Sequence, residues 1–363
     1  MKIALLGFGT VGGGVYELLR GRPEAQIKYI LCRRELTVPG AAVIHDYRAA
    51  LDDPEIDTVV ELLGGEHPAY EAVRDALGSR RSVVSANKAM LSRHYRELAS
   101  LAQARGAPLR FSAAVGGGIP WLASLGHAVD IEEVVAISGI VNGTTNFMLD
   151  AMATRGLSYR LALAEAQRLG YAEADPAADV DGWDAQQKLI LSCNVAFGVS
   201  LDGASVPAFG IRGITAGDIA AFRRMGLVCR LMVHARRTAQ GISAYVEPTL
   251  VPESSLLAGV RRNNNLITLE SRCIGAQSFY GQGAGRYPTA YNVVQDILAV
   301  GGGYGFRFPA LSPVSADNRA VMHRYYADGS ITEPISVEQM HKNSGLRFFA
   351  ALSQPGEARE EEA

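Results

Sequence analysis

Residues 173–188 read Glu-Ala-Asp-Pro-Ala-Ala-Asp-Val-Asp-Gly-Trp-Asp-Ala-Gln-Gln-Lys, a crowd of carboxylates ahead of one lysine. Asp184 and Lys188 stand at i and i+4, the spacing that sets two side chains on one helix face. The run behind them, Lys188-Leu-Ile-Leu-Ser-Cys-Asn-Val-Ala-Phe197, is apolar enough to be buried. A lysine at the mouth of a buried helix, held by an aspartate, is able to hand a proton to a reacting oxygen. A plainer reading is also open. Helix ion pairs at this spacing are common on surfaces and contribute only ~0.3–0.5 kcal/mol.

Such a lysine needs a reaction to serve, and the N-terminus suggests one. Lys2-Ile-Ala-Leu-Leu-Gly7 is a short apolar run of the kind found in a central parallel strand. It enters Gly7-Phe8-Gly9-Thr10-Val11-Gly12, which fits GxGxxG, and a helical stretch over 11–20 follows with Val15, Leu18 and Leu19 on one face. Gly7 permits the tight turn, Gly9 the approach of a pyrophosphate, and Gly12 the close packing of helix on strand. The plainer reading is an ordinary glycine-rich turn. Its place at the start of an alternating pattern favours a dinucleotide.

The alternation continues with strands expected over 26–32, 57–63, 81–86 and 109–115, and helices over 68–78 and 90–106. Alternating strands and helices imply a parallel, doubly wound sheet of Rossmann type, whose ligands bind at the carboxyl ends of the strands. Gly7, Gly64 and Lys88 fall at such ends. At the end of the second strand, NAD-preferring chains place an acid for the ribose hydroxyl, whereas an arginine accommodates the 2′-phosphate of NADP. Here the residues are Cys32-Arg33-Arg34-Glu35, so NADP is favoured over NAD.

From about residue 131 the pattern changes. A strand over 132–140 and helices over 145–154 and 159–169 precede the acidic loop and the helix from Asp184. Strand-like runs then follow over 227–238, 242–251, 266–272 and 277–280. This is an α+β layout with a mostly antiparallel sheet. Covering its open face is expected to require a second copy, hence a homodimer. A helix over 288–300 is expected to return to the first domain. The expected division is residues 1–130 completed by about 287–315, a substrate-binding, catalytic and dimerisation domain over 131–286, and a C-terminal extension over 316–363. Residues 354–363, acidic and polar, are expected to be a frayed tail.

The 363 residues carry a net charge of −2, which points to neither nucleic acid nor an anionic membrane surface as partner. Four scattered cysteines without metal spacing suggest reduced thiols in the cytoplasm. No N-terminal run is long enough for a signal or a membrane span.

Several motifs together resemble the homoserine dehydrogenase family. They are Gly139-Ile-Val-Asn-Gly-Thr-Thr-Asn146, Gly170-Tyr-Ala-Glu-Ala-Asp-Pro176, and Asp179-Val-Asp-Gly-Trp-Asp184 followed by Lys188. Val84-Ser-Ala-Asn-Lys88, Ala114-Val-Gly-Gly-Gly-Ile-Pro120, Tyr280-Gly-Gln-Gly-Ala-Gly285 and Pro288-Thr-Ala290 agree in order and spacing. The resemblance covers roughly residues 1–310 and leaves no room for the ACT regulatory domain of many members. It implies interconversion of L-homoserine and L-aspartate 4-semialdehyde with NAD(P). Lys188 would then donate the proton, Asp184 orient it and contact substrate, and Glu173 hold the substrate ammonium with Asp179 nearby. Lys88 would be the second lysine at the junction of cofactor and substrate. Thr144 and Tyr171 would line the substrate pocket, and Gly170 and Gly285 would touch cofactor.

Two departures from the family pattern stand out. Members commonly carry Glu in a monovalent-cation site where this chain has Ser112. That leaves the carbonyls of Val115, Gly117 and Ile119 as ligands. A tight Na⁺ or K⁺ site is not expected, because hard cations prefer charged oxygens. After Pro288-Thr-Ala290 small residues are usual, but here Tyr291-Asn292-Val293 follow, with bulky Arg286-Tyr287 ahead. These changes are expected to reshape the cofactor pocket. They leave room for a reductase of another amino aldehyde, or for a catalytically idle NADP-binding sensor. Retention of both lysines argues against the sensor.

Overall fold

The computed structural model describes residues 1–308 and 311–353; the tail expected over 354–363 lies outside them. The first layer is a six-stranded sheet built from β1 (Lys2–Leu6), β2 (Gln26–Leu31), β3 (Ala42–Ile44), β4 (Thr58–Glu61), β5 (Ser82–Ser85) and β6 (Leu109–Arg110). Their order is β3-β2-β1-β4-β5-β6 and every pairing is parallel. The helices α1 (Thr10–Leu19), α2 (Arg48–Leu51), α3 (Ala69–Gly78) and α4 (Lys88–Arg105) lie between the strands in sequence. Helices cover both faces of the sheet, so its central strands are enclosed, as in β4, where all four residues are buried, Thr58 and Glu61 included. The expected strand over 109–115 stops at Arg110. Ser112 N instead donates to Asp296 Oδ2 at 2.6 Å, which takes it out of the ladder and into a 3₁₀ turn.

The second layer follows α5 (Trp121–Ile131), a helix absent from the sequence expectations. It begins with β7 (Val134–Ile140), α6 (Gly143–Arg155), α7 (Tyr159–Arg168), α8 (Ala177–Val180) and α9 (Trp183–Phe197). A two-residue strand β8 (Ser200–Leu201) and α10 (Ala216–Arg224) lead to β9 (Leu227–Thr238), β10 (Gly241–Pro252), β11 (Asn264–Ser271) and β12 (Gly275–Gln282). The sheet order β12-β11-β7-β9-β10 is antiparallel throughout. Residues beyond 316, expected as an extension, widen this sheet. Phe349–Leu352 pairs parallel with β10 and antiparallel with Tyr325–Ala327. Pairings of two or three residues with a distant partner leave no periodic trace in sequence, which is why that stretch reads as an appendage.

The chain then returns through α11 (Arg286–Gly301), which packs against α1. Helix α9 is buried on nearly every side, with Leu189, Ile190, Leu191, Cys193 and Phe197 in the main core. Each buried Leu, Ile or Phe contributes about 1.5–3 kcal/mol, so the helix that carries Lys188 is firmly seated. Helix α4 packs on α9, and this contact brings the two lysine-bearing elements together.

Candidate active site

The glycine turn has the geometry a dinucleotide needs. Gly7 has φ +109, and a side chain there would meet Leu62 O at 2.5 Å. A Cβ on Gly12 would lie 2.1 Å from Gly7 O, so only glycine lets α1 start this close to β1. Around Gly9, by contrast, nothing lies within 4 Å of that position, which leaves it open to an incoming group. Gly9 caps α1 without a side-chain bond, leaving the first helical N–H groups, beginning at Thr10 and Val11, to face an anion. Phe8 is half-buried with its ring edge-on to Tyr16. Beside the turn is a cavity of about 560 Å³ lined by Phe8, Gly9, Gly13, Tyr16, Arg34 and Arg286, among others. Arg33 is exposed and lies outside that lining. Arg286 Nη2 is held by Glu17 Oε1 at 2.6 Å. Gly285 caps α11 next to it with φ +132.

At the ends of β4 and β5 a buried acid organises the loops. Glu61 is fully buried and accepts bonds from Leu63 N at 2.8 Å and Ser85 Oγ at 2.6 Å. Burial pushes its carboxyl up, against the pull of those donors. Asn87 N donates to Ser85 Oγ, Asn87 Nδ2 donates to Gly65 O at 2.6 Å, and Asn87 Oδ1 caps α4 at Met90 N. One carboxylate thus ties the Gly64 turn to the residue before Lys88. The sequence signal for Glu61 was an acid inside an otherwise apolar strand, and no role was assigned to it.

Lys88 Nζ lies 3.2 Å from Asp184 Oδ1, and Lys188 Nζ lies 2.7 Å from Asp184 Oδ2. Two ammonium groups from separate helices therefore flank one carboxylate. Lys188 Nζ also donates to Val141 O at 2.7 Å, at the end of β7. Asn142 completes the arrangement. Its Oδ1 caps α6 at Thr145 N, while its Nδ2 donates to Asp179 Oδ1 at 2.6 Å and to Asp184 Oδ2 at 2.8 Å. In the sequence Asn142 is one residue of a family motif, and nothing local announces its bonds to both acids. Burial raises the Asp184 carboxyl, but Lys188 and Lys88 outweigh burial and hold it down to about 2. Asp179, half-buried and without a lysine bond, is pushed up by burial, with the nearby charge of Asp184 adding to the rise.

Thr144 Oγ1 donates to Tyr171 O at 2.6 Å, and the Tyr171 ring sits edge-on to Phe147. This draws residues 170–173 alongside α6. Gly170 has φ +75, which permits the turn after α7. Glu173 is exposed, its carbonyl held by Gln167 Nε2, and its side chain makes no bond to the lysine cluster among the described residues.

The carbonyls left as ligands, in a loop where no tight cation site is expected, meet a side chain from α11. Asn292 Nδ2 donates to Gly117 O at 2.5 Å and to Ile119 O at 2.8 Å. Ser112 Oγ is committed to Asp296 Oδ1 at 2.7 Å, which Arg110 Nε also engages at 2.7 Å. Two of the three carbonyls thus already accept from a side chain. Among the described residues there is also no cluster of three or more His, Cys, Asp or Glu able to hold a metal ion.

A glycine turn fit for a nucleotide, on the sheet whose fifth strand leads to one of two paired lysines, is the equipment of a dehydrogenase acting on a small polar substrate. Comparison with known proteins gives the particular kind. Residues 7–112 match the family model of the homoserine dehydrogenase NAD-binding domain, and residues 120–298 match that of homoserine dehydrogenase itself. Homoserine dehydrogenase of Corynebacterium glutamicum is 38% identical, with 92% of this chain and 81% of that protein covered. That of Bacillus subtilis is 35% identical, with 83% and 72% covered. The crystal structure of the enzyme from Thiobacillus denitrificans superposes with a TM-score of 0.82 at 35% identity, covering 90% of this chain and 81% of that one. The chain belongs to the homoserine dehydrogenase family. Its reaction is the NAD(P)-dependent interconversion of L-homoserine and L-aspartate 4-semialdehyde.

Proposed function

We propose that Lys188 is the proton donor to the aldehyde oxygen, with Lys88 as the second ammonium and Asp184 as the carboxylate that aims both. The observation that carries this reading is the single Asp184 carboxylate within 3.2 Å of both amines. A nicotinamide cofactor held at the glycine turn would supply or accept the hydride. As hydride reaches the carbonyl carbon, negative charge grows on oxygen, and ammonium groups fixed nearby lower the barrier. Lys188 then delivers its proton to that oxygen; in the reverse direction it takes the hydroxyl proton. Asp179 and Glu173 are the carboxylates for the substrate ammonium, Thr144 and Tyr171 the pocket wall, and Gly64, Gly170 and Gly285 the contacts near cofactor. Initial rates of Lys188→Ala with aspartate semialdehyde test the reading, and a rate equal to wild type would refute it.

NADP is the preferred cofactor in this reading. Arg34 and Arg286 line the cavity beside Gly9, where an adenosine 2′-phosphate would find charge-assisted partners. Arg34→Ala is expected to raise the KM for NADPH about tenfold, from the loss of one such bond at an exposed site. KM for NADH should barely move; equal effects on both cofactors would contradict the assignment.

A second copy of the chain is the expected partner. A cavity of about 580 Å³ opens on the large sheet, lined by Met232 and Val251 from its strands and by Leu257 from the loop after β10. Light scattering at micromolar concentration should return twice the chain mass, and a monomer mass would contradict it. Four free cysteines suit a reducing compartment, so we place the enzyme in the cytoplasm. Among the described residues no helix is long and apolar enough to cross a membrane.

A further inference from the structure

The loop over 115–119 joins the two layers. Gly118 N donates to Gln282 O at 3.1 Å, and a Cβ on Gly117 would lie 2.5 Å from the Gly283 carbonyl carbon. Gly118 sits against Pro288, in the first turn of α11. The loop is therefore wedged between the end of β12 and the helix that carries Arg286 to the glycine turn. Val115 is fully buried and Ile119 is 2% exposed, and the Gly117 and Ile119 carbonyls both meet one side chain on α11. Buried carbonyls need donors or a cation; Ile119 O takes one bond from Trp121 N at 2.7 Å and has a second lone pair to fill.

Asn292 is that donor. It is fully buried on α11, and its amide nitrogen spends both hydrogens on Gly117 O and Ile119 O. The chemistry fixes the amide orientation, since turning it over would press the Oδ1 acceptor against two more acceptors. No carboxylate is free to balance an ion here. Ser112 stands where family members commonly carry Glu, and the acid it touches, Asp296, is engaged by Arg110. The two departures from the family pattern, Ser112 and Asn292, are in this way one change. The acid is gone, and a neutral donor meets two of the three carbonyls.

We infer that Asn292 is a positioning residue whose amide replaces a monovalent cation in this loop, so that neither activity nor stability depends on Na⁺ or K⁺. The amide is part of the chain and cannot dissociate, so the joint between the layers is held without an ion.

The test uses the full chain in KCl, NaCl and choline chloride at equal ionic strength, reading Tm, and kcat with NADPH and aspartate semialdehyde. The wild type should give the same Tm and kcat in all three salts. A rise in either with K⁺ or Na⁺ over choline overturns the inference, and this arm needs no variant. Asn292→Asp sets a carboxylate oxygen against the two carbonyls. It should lower Tm in choline chloride, and K⁺ or Na⁺ should restore part of the loss by filling the gap. No loss of Tm, or a loss that neither ion restores, overturns the inference as well.

Discussion

Replacing Lys188 with alanine is expected to lower kcat by ~10²–10⁴, the usual worth of a positioned general acid, while the KM for NADPH holds. Lys188 lies one turn inside α9, with its side chain 12% exposed, and its amine is shared between Asp184 and Val141 O. Alanine is the best helix former, so α9 should persist. Asp184 keeps Lys88 and Asn142, so the carboxylate is not stranded. The glycine turn and the Arg34 cavity belong to other elements, which is why cofactor affinity should not follow the rate. Stopped-flow hydride transfer with NADPH and aspartate semialdehyde measures the effect directly. A rate equal to wild type would remove Lys188 from the chemistry, and a matched loss in NADPH affinity would make its role structural.

The parts of this site that sequence made legible are those with local signatures. The Gly7–Gly12 turn declares itself through three glycines after an apolar run, and Gly12 proves to be required because its Cβ would strike Gly7 O. Asp184 and Lys188 declare themselves through helical spacing ahead of an apolar helix. The residues that were missed act across the fold. Asn142 looks like any helix cap; only the meeting of the α6 N-terminus with α8 and the start of α9 turns its free amide toward both Asp179 and Asp184. Asn292 reads as a bulky intruder in a small-residue stretch until Gly117 and Ile119 are seen above it, more than 170 positions away along the chain. Ser112 likewise reads as a lost ligand. In the fold its backbone and hydroxyl answer to Asp296, which also explains why the sixth strand ends early. Periodicity reports which face of an element is apolar. It carries no information on which distant polar group that element will meet.

The Asp184 carboxylate should prove the most sensitive single position for both stability and rate. It is 8% exposed and is the counter-charge for two ammonium groups, so Asp184→Ala leaves Lys88 and Lys188 facing each other with no acid between them. Breaking a buried pair by removing one partner costs about 3–5 kcal/mol, and here one acid serves two cations. Asp184→Asn keeps the shape and isolates the charge: it should retain the fold, lose most of kcat because neither amine is aimed, and depend differently on acid. In the wild type the folded carboxyl is held at about 2 against an ordinary 3.8. A depressed folded value means the charge stabilises the fold fully above 3.8, and that this contribution fades as pH falls toward 2. The stability gap between wild type and Asp184→Asn should therefore be widest near neutrality and shrink through that acid window. Urea denaturation of both proteins across that range measures the gap, and one that stays constant or grows on acidification would mean that the two lysines do not hold Asp184 ionised.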